Sequence, residues 1–213
     1  MNSSFCVPTW LAHSRLLPVM VIDRLEQAVP MAEALLAGGL SVFEITLRTP
    51  VALDAIAQIR CYLPEAIVGA GTVLDSGLYE AAVAAGAQFA VSPGATPGLL
   101  QHARLGPIPL LPGVATPSEA MQARDLGYHF LKFFPAQYLG GASALKAMAA
   151  ALPGIGFCPT GGISPANVAE YLALSCVVAV GGSWMLPQEA LAREDWQAIT
   201  TLTRQAMALV NRE

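Results

Sequence analysis

Short apolar runs alternate along the chain with longer Ala- and Leu-rich stretches, and glycine closes most of the pairs. Runs of four to eight apolar residues bounded by turn formers read as buried strands, and the longer stretches as helices. Strands are expected at 16–22, 41–47, 67–73, 89–92, 108–114, 129–136, 156–159 and 177–180. Helices are expected at 26–37, after Pro50, at 75–85, after Pro97, after Thr116, at 142–151 and after Pro165, with one long terminal helix ending near residue 210. Thr116 and Glu119 have the spacing of a capping box. Eight strand-then-helix units joined by short connections imply parallel pairing through right-handed crossovers. The expected fold is therefore α/β, a (β/α)8 TIM barrel in a single domain over residues 1–213, with 1–15 an N-terminal extension or helix. A doubly wound open sheet is the alternative, disfavoured because every run is apolar and none reads as a polar edge.

One charge interrupts this pattern in an informative place. Lys132 lies inside His-Phe-Leu-Lys-Phe-Phe-Pro-Ala (129–136), and the chain has one other lysine, Lys146. Burying an ammonium is costly without a partner, and desolvation disfavours its charged form. A neutral amine in an apolar pocket suits Schiff-base chemistry on a carbonyl compound, whereas a snorkelling or ion-paired lysine is the structural alternative. Glu44, in Val-Phe-Glu-Ile, is equally out of place. It reads as a general acid/base beside the amine or as a buried partner for Lys132 or Arg48. Strand alternation places Val42, Glu44, Thr46 and Arg48 on one face, Phe130, Lys132 and Phe134 on another, and Val68, Ala70 and Thr72 on a third. In a barrel these polar groups would converge at the mouth formed by the strands' C-terminal ends. Arg48 is suited to hold a carboxylate, or else to bridge to Glu44. Gly69-Ala70-Gly71-Thr72 allows close backbone approach and offers a hydroxyl.

Two further stretches follow the last two strands, Thr160-Gly161-Gly162-Ile163-Ser164-Pro165 and Gly181-Gly182-Ser183. Glycine-rich loops at these positions, each leading to a helix N-terminus, are suited to phosphate; ordinary turns are the alternative.

Composition narrows the function classes. Hydrophobic residues make up 54% and charged residues 12% of the 213, yet no apolar run reaches the roughly 18–20 residues of a membrane span. The surplus suits a sheet buried on both faces and apolar surface covered in an oligomer. A net charge of −4 with eleven basic residues argues against a nucleic-acid partner. No basic start precedes a long apolar core, so no secretory signal is expected. Cys6, Cys61, Cys158 and Cys176 are scattered without CxxC pairs, which suits reduced thiols in the cytoplasm. His13, His102 and His129 lack metal-ligand spacing, so no metal and no cofactor is expected. Cys158 has no evident histidine to activate it.

Glu-Ile-Thr-Leu-Arg-Thr (44–49), Gly-Ala-Gly-Thr-Val-Leu (69–74), Phe-Leu-Lys-Phe-Phe-Pro-Ala (130–136), Cys-Pro-Thr-Gly-Gly-Ile-Ser-Pro (158–165) and Gly-Gly-Ser-Trp (181–184) stand in this order. Together they resemble the 2-keto-3-deoxy-6-phosphogluconate (KDPG) aldolase / 4-hydroxy-2-oxoglutarate (KHG) aldolase family, from about Leu17 to the terminal helix. Gln137-Tyr138-Leu139 and the first dozen residues look less typical of it. The resemblance implies a class I aldolase, usually a homotrimer, that cleaves KDPG to pyruvate and glyceraldehyde 3-phosphate and KHG to pyruvate and glyoxylate. It makes Lys132 the Schiff-base lysine and Glu44 the general acid/base. Arg48 and Thr72 fall at the pyruvate carboxylate, and Thr160, Gly161, Gly162, Gly182 and Ser183 are the remaining substrate-binding positions, the glycines and Ser183 around the phosphate. The galactonate epimer as substrate, and a non-catalytic phosphosugar-binding barrel, are the alternatives.

Overall fold

Strands rich in Val, Ile, Leu and Phe pair in parallel wherever their runs were expected, most of them shorter than expected, and two of the runs depart in kind. The computed structural model describes Leu11 and residues 14–211. Its strands are β1 Leu16–Met20, β2 Val42–Thr46, β3 Ile67–Gly71, β4 Phe89–Val91, β5 Leu110–Leu111, β6 Gly113–Val114, β7 Phe130–Phe133, β8 Gly156–Pro159 and β9 Val180–Gly182. Six form one parallel sheet in the order β5-β4-β3-β2-β1-β9, curled into a half-barrel, and β6-β7-β8 form a second. The expected strand 108–114 is split at Pro112, which has no N–H to give a ladder. On one side of it Leu111 pairs with Val91, and on the other Gly113 pairs with Lys132. The chain thus passes from one sheet to the other at the proline. Gly113 is required at this crossing, since a Cβ there would lie 2.2 Å from the Pro93 carbonyl. The expected 177–180 strand begins at Val180 instead, with Val177 in a single parallel bridge to Phe157. A second bridge joins Thr160 to Gly181.

The helices are α1 Ala28–Ala37, α2 Ala52–Tyr62, α3 Ser76–Ala84, α4 Pro97–Leu105, α5 Pro117–Asp125, α6 Gly141–Ala151, α7 Val168–Leu172, α8 Gln188–Ala192 and α9 Trp196–Val210. The Thr116–Glu119 capping box forms as expected. The long terminal helix does not: it divides into α8 and α9, with Glu194 at φ 53 and Asp195 capping the second through Ala198 N–H.

Side chains leaving the sheets alternate between two buried clusters. Phe43, Ile45, Val68, Ala70, Leu131 and Phe157 pack toward the helices. Leu17, Val42, Phe89, Val91, Leu111, Phe130, Cys158 and Ala179 pack together with Leu11 in the second cluster. Val68 and Ala70 therefore lie on the helix side, not with Thr72 on the inner face as alternation from Thr72 suggested. The inner positions of β3 are Gly69 and Gly71, where a Cβ would strike the Phe89 ring and the Glu44 carboxylate. Of the expected N-terminal extension or helix, only Leu11, Ser14 and Arg15 are described; Cys6 and His13 lie outside the described residues.

Candidate active site

Lys132 sits between Gly113 and Cys158 in the β6-β7-β8 register, and Glu44 stands opposite Gly69 on β2. Lys132 Nζ donates to Glu44 Oε1 at 3.1 Å, with the side chains 6% and 1% exposed. Withdrawing both ions from water costs several kcal/mol each, so such a pair is a poor stabilising device. Glu44 Oε2 is buried and has no hydrogen-bond partner among the described residues, leaving an acceptor for a bound molecule. The Phe134 ring lies 5.5 Å from Nζ. Sequence reasoning put Phe134 on the face of Lys132 but gave it no role; the alternation itself was the available signal.

Arg48 does not bridge to Glu44. It is exposed, and its Nε donates to Thr72 Oγ1 at 3.1 Å. Thr72 reaches this position because its backbone turns left-handed after β3, with φ 60, a conformation that β-branched residues rarely adopt. On either side of Arg48, the Thr46 hydroxyl donates to Met20 O at 3.0 Å and that of Thr49 to Ile22 O at 2.6 Å, tying the turn to the end of β1. Arg48 follows the C-terminal end of β2 and is exposed, and its guanidinium is a fork suited to a carboxylate.

The glycine loops lie side by side at the same edge, because Thr160 bridges to Gly181. Gly161 and Gly162 have φ 97 and 76. A Cβ on Gly181 would lie 2.2 Å from Thr160 Oγ1, and one on Gly182 2.1 Å from the Trp184 ring. Thr160 is buried and Ser183 exposed. The loops do not run straight into helices as expected. Residues 163–167 and 184–187 intervene before α7 and α8, each five residues long. A turn held by the Asn167 side chain on Ser164 N–H occupies the first gap, so donors here come from the loop backbone rather than from a helix end.

Ser92, fully buried at the end of β4, accepts from Gly113 N–H at 3.3 Å and steadies the crossing beneath Lys132; nothing in its sequence context signalled this. Burial pushes the Cys158 thiol up to about 12, with Glu44 adding to the shift and Lys132 opposing it, so it is no nucleophile. His102 pairs with Glu80 at 2.6 Å between α4 and α3, and His129 is exposed at the start of β7. Among the described residues no three His, Cys, Asp or Glu side chains are grouped to hold a metal.

Residues 7–202 match the aldolase family described as KDPG and KHG aldolase. The chain is 53% identical over 197 residues to the KHG/KDPG aldolase of Escherichia coli K12, covering 92% of each chain. It is 53% identical over 198 residues to the 2-dehydro-3-deoxy-phosphogluconate aldolase of Dickeya dadantii, covering 93% of each. Among solved structures it resembles the KDPG aldolase of Legionella pneumophila, captured with pyruvate as a covalent carbinolamine intermediate. That similarity has a TM-score of 0.90 at 48% identity, over 92% of this chain and 95% of the other. A buried lysine–carboxylate pair facing across two parallel sheets and this extent of identity lead to one assignment: the chain belongs to the KDPG and KHG aldolase family.

Proposed function

We propose that the protein is a class I aldolase that cleaves KDPG to pyruvate and glyceraldehyde 3-phosphate, and KHG to pyruvate and glyoxylate. The observation carrying this reading is the buried contact between Lys132 Nζ and Glu44 Oε1. Lys132 attacks the C2 ketone once its proton has passed to Glu44, and Glu44 returns protons as the carbinolamine forms and loses water. The protonated imine then accepts the electron pair of the C3–C4 bond. That bond breaks as the C4 hydroxyl loses its proton toward Glu44 Oε2, the acceptor without a protein partner. The aldehyde departs, the enamine is protonated at C3, and water releases pyruvate from Lys132. Because the amine supplies the electron sink, no metal or other cofactor is required.

In this reading Arg48 and Thr72 hold the pyruvate carboxylate, Gly161, Gly162, Gly182 and Ser183 the phosphate end, and Thr160 is a further substrate-binding position. The gluconate epimer is favoured by the identity to its aldolases. We further read the fold as a closed (β/α)8 barrel in one domain. The strand crossing at Pro112 and the two bridges between the segments of β8 and β9 support closure. Exposed Leu105, Tyr62, Leu74 and Tyr138 support a homotrimer, and the scattered cysteines a cytoplasmic setting.

The test is borohydride reduction with pyruvate followed by peptide mapping. A pyruvate-sized adduct on Lys132 is expected, and its absence in Lys132→Ala. An adduct on Lys146 instead, or none, would overturn the assignment.

A further inference from the structure

The Gly161–Gly162 loop is gripped from its outer side by three polar residues that the chemistry above leaves unused. Gln137 donates its backbone N–H to Gly161 O at 3.0 Å. Its side-chain Oε1 accepts from the Tyr171 hydroxyl at 3.0 Å and from Asn167 Nδ2 at 3.3 Å. The same Nδ2 donates to Gly162 O at 2.9 Å, while Asn167 Oδ1 accepts from Ser164 N–H at 2.8 Å. Both protons of the Asn167 amide and both lone pairs of Gln137 Oε1 are thereby used. Tyr171 is fully buried, and burial together with the charge of Glu170 pushes its phenol up, so it acts as a donor. Contact is close as well: a Cβ on Gly162 would lie 2.5 Å from Gln137 Cβ.

Two successive left-handed glycines have little conformational preference of their own and lose much freedom when ordered. An anion site made of their backbone N–H groups needs an external restraint to avoid the cost of ordering on binding. The cluster supplies that restraint, and none of its hydrogen bonds reaches Lys132 or Glu44.

We propose that Gln137, Asn167 and Tyr171 are positioning residues for the phosphate end of the substrate, setting the preference for phosphorylated over unphosphorylated keto acids. This rests on the aldolase reading, in which the Gly161–Gly162 loop takes the phosphate. KHG carries its second carboxylate directly on C4, three bonds short of the phosphorus position in KDPG, and does not reach the loop.

The test compares steady-state kinetics on KDPG and KHG for Gln137→Ala and Tyr171→Phe, after thermal unfolding has verified folding. Gln137→Ala should raise KM for KDPG about tenfold and Tyr171→Phe about threefold, with kcat for KDPG and kcat/KM for KHG within about twofold of wild type. If well-folded variants lose activity on both substrates equally, or on neither, this inference is overturned while the aldolase reading stands. Wild-type protein that turns over neither substrate removes both.

Discussion

Gly71→Ala isolates the position of the Glu44 carboxylate without altering its chemistry. The added Cβ would lie 2.3 Å from Glu44 Oε1, 2.7 Å from its Cγ and 2.9 Å from its Cδ. Non-bonded carbon contacts settle near ~3.5 Å, so the carboxylate must retreat by about 1 Å. It starts 3.1 Å from Lys132 Nζ and is 1% exposed, which leaves it little room to move while keeping that bond. Gly71 does not have a positive φ, so the alanine brings no backbone strain of its own. A misplacement of about 1 Å in a reacting group costs on the order of 100-fold in rate. The control is Gly69→Ala, one pleat lower on the same face, where the Cβ would lie 2.3 Å from the Phe89 ring. Both variants overpack the interior by roughly 1–3 kcal/mol, lowering Tm by several degrees. Only Gly71→Ala should lose kcat/KM by about 100-fold, measured as pyruvate release coupled to lactate dehydrogenase on protein of known folded fraction. A Gly71→Ala enzyme within about threefold of wild type would refute the idea that this carboxylate's placement governs the rate.

Thr72→Val removes the acceptor for Arg48 Nε and should raise KM for KDPG about fivefold with kcat little changed, whereas Thr72→Ser retains wild-type kinetics. Glu119 provides a pH test. Burial works against its charge, but the backbone N–H groups of Ala115 and Thr116 and the Thr116 side chain outweigh it and hold its carboxyl below the usual 4.5. A lowered folded value gives stability that is complete above the unfolded value and lost as pH falls through the folded one. Wild type should therefore exceed Glu119→Ala in Tm by roughly 2 °C at pH 7, and the difference should fade as the pH drops below 4.5.

Much of this molecule was legible because its chemistry violates its own hydrophobic pattern. A lysine and a glutamate inside apolar runs can be recognised without any contact information, and alternation with period two put both on inner faces. The same rule failed on β3. A period of two groups Val68 and Ala70 with Thr72, but the left-handed turn at Thr72 breaks the alternation and leaves Gly69 and Gly71 as the inner positions. Pro112 stood in plain view, but a missing N–H does not say which neighbouring strand the chain turns to next. The break in the terminal helix at Glu194 leaves no mark in the sequence, because it rests on backbone conformation and not on a glycine or proline. The choice by Arg48 of Thr72 over Glu44 depended on distances that no linear pattern carries.

The split at Pro112 has a mechanical side. Glu44 belongs to the six-stranded sheet and Lys132 to the three-stranded one, so their buried ion pair spans a seam. The two sheets meet at a proline on one side and at single bridges on the other. Sliding of one sheet past the other would change the Nζ–Oε1 distance directly, whereas the ladder within each sheet holds only one of the two partners. Residues along that seam thus hold the alignment of donor and acceptor as a hinge pin holds two leaves of a door.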